Sequence, residues 1–175
     1  MERPDFVHLH LHSEYSLSDG IIRIKELVSR ASSLQYSAVG LTDLTNLFGL
    51  LEFYRSSREK GIKPIVGAEV NVIKDKDSLP APIVLLVKDK QGYINLTKIV
   101  SKAYVDGQVN GQPMVELSLL QKYSEGLIAS SGGIEGHVGQ SILAGNISLT
   151  ESRIKFFKSI FDDNFFIEVH RLGKT

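Results

Sequence analysis

Three histidines fall on every second residue within the segment FVHLHLHSEYSLSDG, which runs from residue 6 to residue 20. A β-strand directs alternate side chains to opposite faces, so His8, His10 and His12 are predicted to share one face of a first strand. Neutral imidazoles gathered at one point are good ligands for zinc or manganese. A polar face whose histidines are satisfied by hydrogen bonds is the alternative interpretation.

Two carboxylates are placed where they could complete such a site. Asp19 follows in a Ser-Asp-Gly turn, and Glu69 lies near the middle of the third predicted strand. The predicted metal-binding set is therefore His10, His12, Asp19 and Glu69. Such a set can hold one or two divalent ions, which usually activate water against a phosphate ester. A further carboxylate, Asp43, ends the second predicted strand and is interpreted as the N-terminal cap of the next helix.

Composition narrows the classes of function. The chain has 175 residues, of which 42% are hydrophobic, and this suits one globular domain with its own core. Lys and Arg number 20 against 20 Asp and Glu, so the strongly basic surface of a self-sufficient duplex-DNA binder is not expected. The chain has no cysteine, which excludes disulfides, zinc-thiolate sites and thiol catalysis and is compatible with a reducing cytosol. Neither a signal peptide nor a membrane span is expected from the sequence.

Strand-like and helix-like segments alternate along almost the whole chain. The predicted strands cover residues 6–12, 38–43, 63–73, 83–87, 127–131 and 165–172. Helical patterns separate most of these strands, whereas residues 108–113 are predicted to form a mobile loop. The alternation predicts an α/β fold with a parallel sheet, open or closed into a barrel, and a functional site at the C-terminal ends of the strands.

A family resemblance rests on four segments that occur in this order: FVHLHLHSEYSLSDG, GLTDLTNLFGLLEFY, GIKPIVGAEVNV and GYINLTKIVSKAY. Together they resemble the N-terminal PHP domain (polymerase and histidinol phosphatase) of bacterial DNA polymerase III alpha subunits. The resemblance implies a distorted parallel barrel of about seven β-α units, related to the TIM barrel, with metals at the C-terminal strand ends. It also implies a part in DNA replication in the bacterial cytoplasm, within a DNA-directed DNA polymerase, a nucleotidyltransferase, whose polymerase domains lie downstream.

The resemblance also assigns metal-ligand positions. The ligands retained in this chain are His10, His12, Asp19 and Glu69. His8 falls where many relatives have aspartate, so no role is assigned to it. Three further ligand positions are occupied by residues without a side-chain donor: Leu44, Pro82 and Gly133. The last metal motif of the family, an aspartate and a histidine two residues apart, is expected beyond Thr175.

A degenerate, vestigial metal site with a structural and docking role is the function predicted from these replacements. No residue of this region is expected to be catalytic. At most, the region is expected to bind one divalent metal weakly, and that metal would be zinc, manganese or magnesium. Its expected partners are the rest of the polymerase chain and the proofreading exonuclease subunit, with DNA contacted mainly by other domains.

Two enzymatic alternatives remain open at this point. The first is an active metal-dependent phosphoesterase, either a 3′–5′ exonuclease or a small-molecule phosphatase, that uses the four retained ligands. The second is a stand-alone enzyme similar to histidinol phosphatase, against which the absence of the final metal motif argues.

Residues 1–175 are predicted to form one PHP domain at the start of a longer polymerase chain, with the closing β-α unit outside this sequence. A barrel left open exposes strand edges and apolar side chains. The 175-residue chain is therefore expected to melt at a lower temperature than a version longer by about 60 to 100 residues, and to self-associate. Thermal melts and light scattering of the two versions would test this expectation.

Overall fold

A computed structural model of the chain describes residues 6–74 and 78–170. The chain divides into two compact units, which run from Met1 to Glu69 and from Val70 to Thr175. Among the described residues, no helix is both long enough and apolar enough to cross a membrane.

The first unit alternates helices and strands. Its elements are a 3-10 helix at Glu14–Asp19, α1 at Ile24–Ser33, β1 at Ala38–Leu41, α2 at Leu50–Glu59 and the first part of β2, which spans Lys63–Ile73. β1 and β2 pair in parallel, from Ala38 opposite Lys63 to Leu41 opposite Val66. Such a β-α-β arrangement confirms the local order predicted from the sequence.

The core of the first unit is formed by apolar residues at helical spacing that face a strand buried on both sides. Ile24, Val28 and Ala31 recur along α1 at intervals of three and four residues and are buried. They pack with Phe53 of α2 and with residues of β1, and Leu11 and Tyr15 lie against the same cluster. The core thus supports the segment that carries the histidines.

The predicted first strand, residues 6–12, runs beside β1 but does not form a regular strand. The Gly40 amide donates to the His8 carbonyl at 2.7 Å, and the Thr42 amide donates to the Leu11 carbonyl at 2.9 Å. The Leu11 amide, however, donates to the Thr42 hydroxyl and not to a backbone carbonyl. The expectation of a regular strand is wrong because this side chain interrupts the backbone ladder.

The second unit contains the remaining strands and helices. Its elements, after the end of β2, are β3 Ala81–Val87, α3 Lys90–Val105, β4 Gln108–Val109, β5 Gln112–Pro113, β6 Val115–Glu116, α4 Leu117–Lys122, β7 Leu127–Ser130, α5 His137–Leu143, α6 Ile147–Phe161, a 3-10 helix Asp162–Asn164 and β8 Phe165–Phe166. The strand order is β2-β3-β7-β8, with β6 also paired to β2.

The strand pairs described for the second unit run in both directions, although the sequence predicted a parallel sheet. β2 pairs with β6, and β7 with β8, in parallel. β3 and β7 pair antiparallel, from Val84 opposite Ser130 to Val87 opposite Leu127, so the parallel direction expected for β3 is wrong. The apolar run of β3 predicts that the strand is buried on both faces, and it is buried in the structure. Burial does not determine strand direction, because both parallel and antiparallel strands can be buried. Closure into a barrel stays a prediction.

Two shorter segments also differ from the sequence-based expectation. Residues 108–113, expected to be a mobile loop, form the hairpin of β4 and β5. Its turn residues Asn110 and Gly111 both have positive φ, 52° and 77°, as a type I′ hairpin turn requires. The expected strand at 165–172 is limited to β8 within the described residues, and positions 171 and 172 lie outside them.

Phe53→Ala should lower the free energy of unfolding by about 3 to 5 kcal/mol, because it leaves a cavity where a fully buried ring stood. The neighbouring aromatic residue supplies the matched control. Tyr54 is 48% exposed, and Tyr54→Ala should cost about 0.5 kcal/mol. Urea unfolding of the two variants measures the difference, and equal losses would contradict the assignment of Phe53 to the core.

Candidate metal centre

His10, His12 and Glu69 come together in the first unit. His10 Nε2 lies 2.5 Å from Glu69 Oε2, and His12 Nε2 lies 3.6 Å from the same oxygen. The two imidazole rings meet edge to face, with centroids 5.4 Å apart. One ligand atom from each residue lies within 4.8 Å of the other two. This spacing is compatible with coordination of a single ion by all three side chains.

Backbone hydrogen bonds hold Glu69 at this point of β2. Its amide donates to the carbonyls of Thr42 and Asp43 at 3.2 Å each, and its carbonyl accepts from the Thr45 amide at 2.7 Å. Side chains alternate along the strand, so Glu69 faces away from its fully buried neighbour Ala68. The side chain remains only 13% exposed, which places a carboxylate in a largely dry position.

Asp19 is placed on the opposite side of His12 from Glu69. Its Oδ2 lies 2.7 Å from His12 Nδ1, while its own side chain is 63% exposed. A carboxylate on Nδ1 fixes the ring orientation and leaves Nε2 available, as in the outer shell of many metal sites. The sequence predicts Asp19 as a ligand; in this geometry its carboxylate contacts Nδ1 of His12, and Asp19 lies outside the three-residue group.

The donor atoms present fit one divalent ion. His12 Nε2 is buried and has no hydrogen-bond partner among the described residues. A buried polar atom without a partner is costly, and a coordinated cation would remove that cost. Two imidazoles and one carboxylate form the donor set of many catalytic zinc sites, and they also suit manganese and iron.

The protonation equilibria of the cluster are shifted by its own charges. The Glu69 carboxylate raises the pKa of His12 above 6.5, against the opposing effect of burial. Burial by itself would raise the pKa of Glu69, but the hydrogen bond with His10 and the nearby His12 ring outweigh it and lower that pKa to about 2. Glu69 is therefore ionised at neutral pH, and protons compete with a metal for His12.

His8 does not join the cluster. Its ring lies against Phe6 and Tyr36, with centroid distances of 4.8 and 5.6 Å. The period-two pattern therefore brings two of the three histidines to the site. The third packs on an aromatic side chain that itself lies against the core of the unit.

The predicted lost-ligand positions have distinct surroundings. Leu44 is paired with Glu69 through an isolated parallel bridge, so a residue without a donor atom lies directly beside the cluster. Pro82 lies in β3 of the second unit. Gly133, also in the second unit, has φ of 63°, and a Cβ built on it would lie 2.7 Å from the His170 ring. A side chain at position 133 thus has no room while His170 keeps this position.

The predicted capping role of Asp43 is wrong. α2 begins at Leu50 after Gly49, too far along the chain for Asp43 to act as its cap. The Asp43 carboxylate instead accepts hydrogen bonds from Ser13 and Ser16. Sequence analysis missed this role because the donors lie about thirty residues earlier and form no local pattern with Asp43.

Comparison with known proteins gives a consistent set of relatives. The family model described as "PHP domain" matches residues 8–172. DNA polymerase III subunit alpha of Vibrio cholerae is 40% identical over 177 residues, which cover 100% of this chain and 15% of that protein. The Escherichia coli K12 subunit is 42% identical over 176 residues, which cover 99% of this chain and 15% of that protein. The chain therefore spans about 15% of the length of these curated relatives.

Among solved structures, an amidohydrolase from Chromobacterium violaceum with bound sulfate and no metal aligns at TM-score 0.47. It is 21% identical, and the alignment covers 90% of this chain and 50% of that one.

Glu69→Gln should change the pH dependence of stability of the metal-free protein in a defined direction. The stabilisation from Glu69 is complete above pH 4.5 and is lost as pH falls toward about 2. The stabilisation from His12 is complete below pH 6.5 and is lost as pH rises through its raised pKa. Thermal melts should therefore show the largest difference between wild type and variant between pH 4.5 and 6.5. If the difference in melting temperature between wild type and variant stayed undiminished at strongly alkaline pH, the proposed stabilisation of the Glu69 carboxylate by protonated His12 would be contradicted.

Proposed function

This chain belongs to the PHP domain family, and we propose that it is the PHP domain of a DNA polymerase III alpha subunit, which serves DNA replication as a structural and docking module. The observation that carries this proposal is 40–42% identity to alpha subunits of two bacteria over 99–100% of the chain. Identity at this level over almost every residue favours a shared role in those polymerases over an independent enzyme.

The partners proposed for the module follow from its place in such a polymerase. They are the remaining polymerase domains of the same chain and the proofreading exonuclease subunit, in the bacterial cytoplasm. Its formal charge of zero supports the proposal that other domains make most of the contacts with DNA. Polymerisation itself is assigned to those other domains.

The metal centre proposed here is degenerate and holds one ion. His10, His12 and Glu69 would bind it, and Asp19 would orient His12. A bound ion at this place would supply positive charge and lower the pKa of a coordinated water. A site for two or three ions needs further shared ligands, and the position beside Glu69 is occupied by Leu44, whose side chain has no donor atom. We therefore propose weak metal binding without appreciable hydrolysis.

An active metal-dependent phosphoesterase or 3′–5′ exonuclease is the second candidate function. The observation in its favour is that three ligands and the carboxylate that orients His12 are all present. In such an enzyme, Glu69 would remain ionised at neutral pH, and Nε2 of His12, which has no hydrogen-bond partner in the part of the chain that the structure describes, would complete the coordination.

A chimeric polymerase tests the replication proposal. In the Escherichia coli K12 alpha subunit, the matching 176-residue region would be replaced by this chain. The chimera should retain primer extension, both with the wild-type sequence of this chain and with His12→Ala. The reason is that the proposed role requires a folded domain and does not require hydrolysis by it. A folded chimera without primer extension would contradict the structural role, and loss of extension only with His12→Ala would show that the metal centre is required.

Metal titration of the isolated chain tests the centre. His12→Ala should weaken binding of zinc or manganese by about 10- to 100-fold, as measured by calorimetry, because it removes a proposed ligand. His8→Ala is the matched control, since it removes a histidine of the same segment that lies outside the cluster, and it should leave binding unchanged. Equal effects of the two variants would refute the proposed ligand set.

Hydrolysis assays separate the two candidate functions. Neither a nitrophenyl phosphate nor a labelled primer should be hydrolysed with manganese present. Hydrolysis that is retained in His8→Ala and abolished in His12→Ala would establish the phosphoesterase instead.

A further inference from the structure

Asp43 is a buried carboxylate whose side-chain hydrogen bonds within the described residues lead to one short segment of the first unit. It is only 2% exposed. Oδ1 accepts from the Ser13 amide at 2.6 Å and from the Ser16 hydroxyl at 2.7 Å, and Oδ2 accepts from the Ser13 hydroxyl at 2.8 Å. Hydrogen bonds to a charged acceptor are stronger than neutral ones, so Asp43 anchors residues 13–16.

The anchored segment closes the loop that carries Asp19. Ser13 forms an isolated parallel bridge with Ile22, and the Glu14 amide donates to the Ile22 carbonyl at 2.9 Å. Gly20 approaches Ser13 so closely that a Cβ on it would lie 1.8 Å from the Ser13 carbonyl oxygen. Both ends of the loop therefore meet at Ser13, and the buried Asp43 carboxylate binds Ser13 through hydrogen bonds.

Asp19 depends on this anchoring for its position. Its side chain is 63% exposed, so burial does not hold it. The 3-10 helix that leads to it is interrupted at Leu17, which has φ of 55° and ψ of −96°. Irregular, exposed backbone of this kind is positioned by the points at which it is tied to the fold. The 2.7 Å contact between Asp19 and His12 is therefore set by the closed ends of the loop.

Asp43 also contacts the other part of the centre. Its carbonyl accepts from the Glu69 amide at 3.2 Å. The Ser16 hydroxyl, which donates to Asp43, accepts from the amide of Leu44, and Leu44 is paired with Glu69. One residue thus ties the loop of Asp19 to the strand of Glu69, although it contributes no atom to the three-residue group itself.

We propose that Asp43 is a positioning residue of the metal centre, which sets the orientation of His12 relative to Glu69 through the loop that carries Asp19. This inference rests on the proposed function in which His10, His12 and Glu69 bind a divalent ion. Asp43 acts through Asp19 and Glu69 and does not touch the ion.

Asp43→Asn tests the proposal in the whole 175-residue chain. The amide keeps the size of the side chain but has one acceptor oxygen, so it cannot accept all three hydrogen bonds. Zinc affinity, measured by calorimetry, should fall about 10- to 100-fold, as for other outer-shell residues. Ser16→Ala removes one of the three bonds and should give a smaller loss, which keeps the test usable if Asp43→Asn fails to fold.

Asn95→Ala controls for a general loss of stability. Asn95 is 3% exposed and donates to the Glu125 carbonyl in the second unit. The variant removes a buried polar interaction of the second unit, which supplies none of the proposed ligands, and its zinc affinity should stay within about twofold of wild type, the agreement expected for an independent site. Loss of affinity in Asn95→Ala equal to that in the Asp43 and Ser16 variants would overturn the proposal, and so would wild-type affinity in both of those variants.

Ring nitrogen chemical shifts of His12 in the metal-free protein provide a readout that does not need the ion. They report whether Nδ1 still bonds to Asp19, which a merely structural role of Asp43 would leave unchanged. The bond should be lost or weakened in Asp43→Asn and Ser16→Ala and kept in Asn95→Ala. If wild type binds no zinc, the proposed function fails, and these shifts alone support or overturn the positioning role.

Discussion

A carboxylate withdrawn from water imposes the main constraint on the first unit. Burial by itself would raise the pKa of Glu69, and the two imidazoles beside the carboxylate outweigh burial and lower that pKa to about 2. The histidine segment must therefore reach the end of β1, and β2 must present position 69 on the same side. The hydrophobic core of the first unit holds these parts in place, because Leu11 of the histidine segment, β1 and the two helices all pack on it.

The helices and most strands of this fold could be predicted from the sequence because their signals are local. Apolar positions spaced three and four apart define α1, and short apolar runs define β1 and β3. Strand direction is different, since it depends on how distant segments pair. The antiparallel alignment of β3 and β7 and the interruption beside Thr42 both arise from such distant contacts, which no window of sequence contains.

The site shows the same division between local and distant information. The alternating histidines indicated that His10 and His12 would share a face, and the structure brings both of them to Glu69. The roles within the site were harder to predict: Asp19 contacts the other nitrogen of His12, and Asp43 is bonded to serines about thirty residues away. A carboxylate at a strand end is compatible with a ligand, a cap or an anchor, and only its partners distinguish these roles.

The close approach of His170 to Gly133 makes position 133 sensitive to the addition of a side chain. A single substitution that introduces cysteine at position 133 would place its Cβ against an imidazole ring and would keep a left-handed backbone conformation that side chains disfavour. The ring is the far end of a side chain and could shift, whereas the backbone at position 133 would remain strained. A cysteine at position 133, where the family resemblance implies a lost ligand, would therefore lower the stability of the second unit even though it would restore a donor atom.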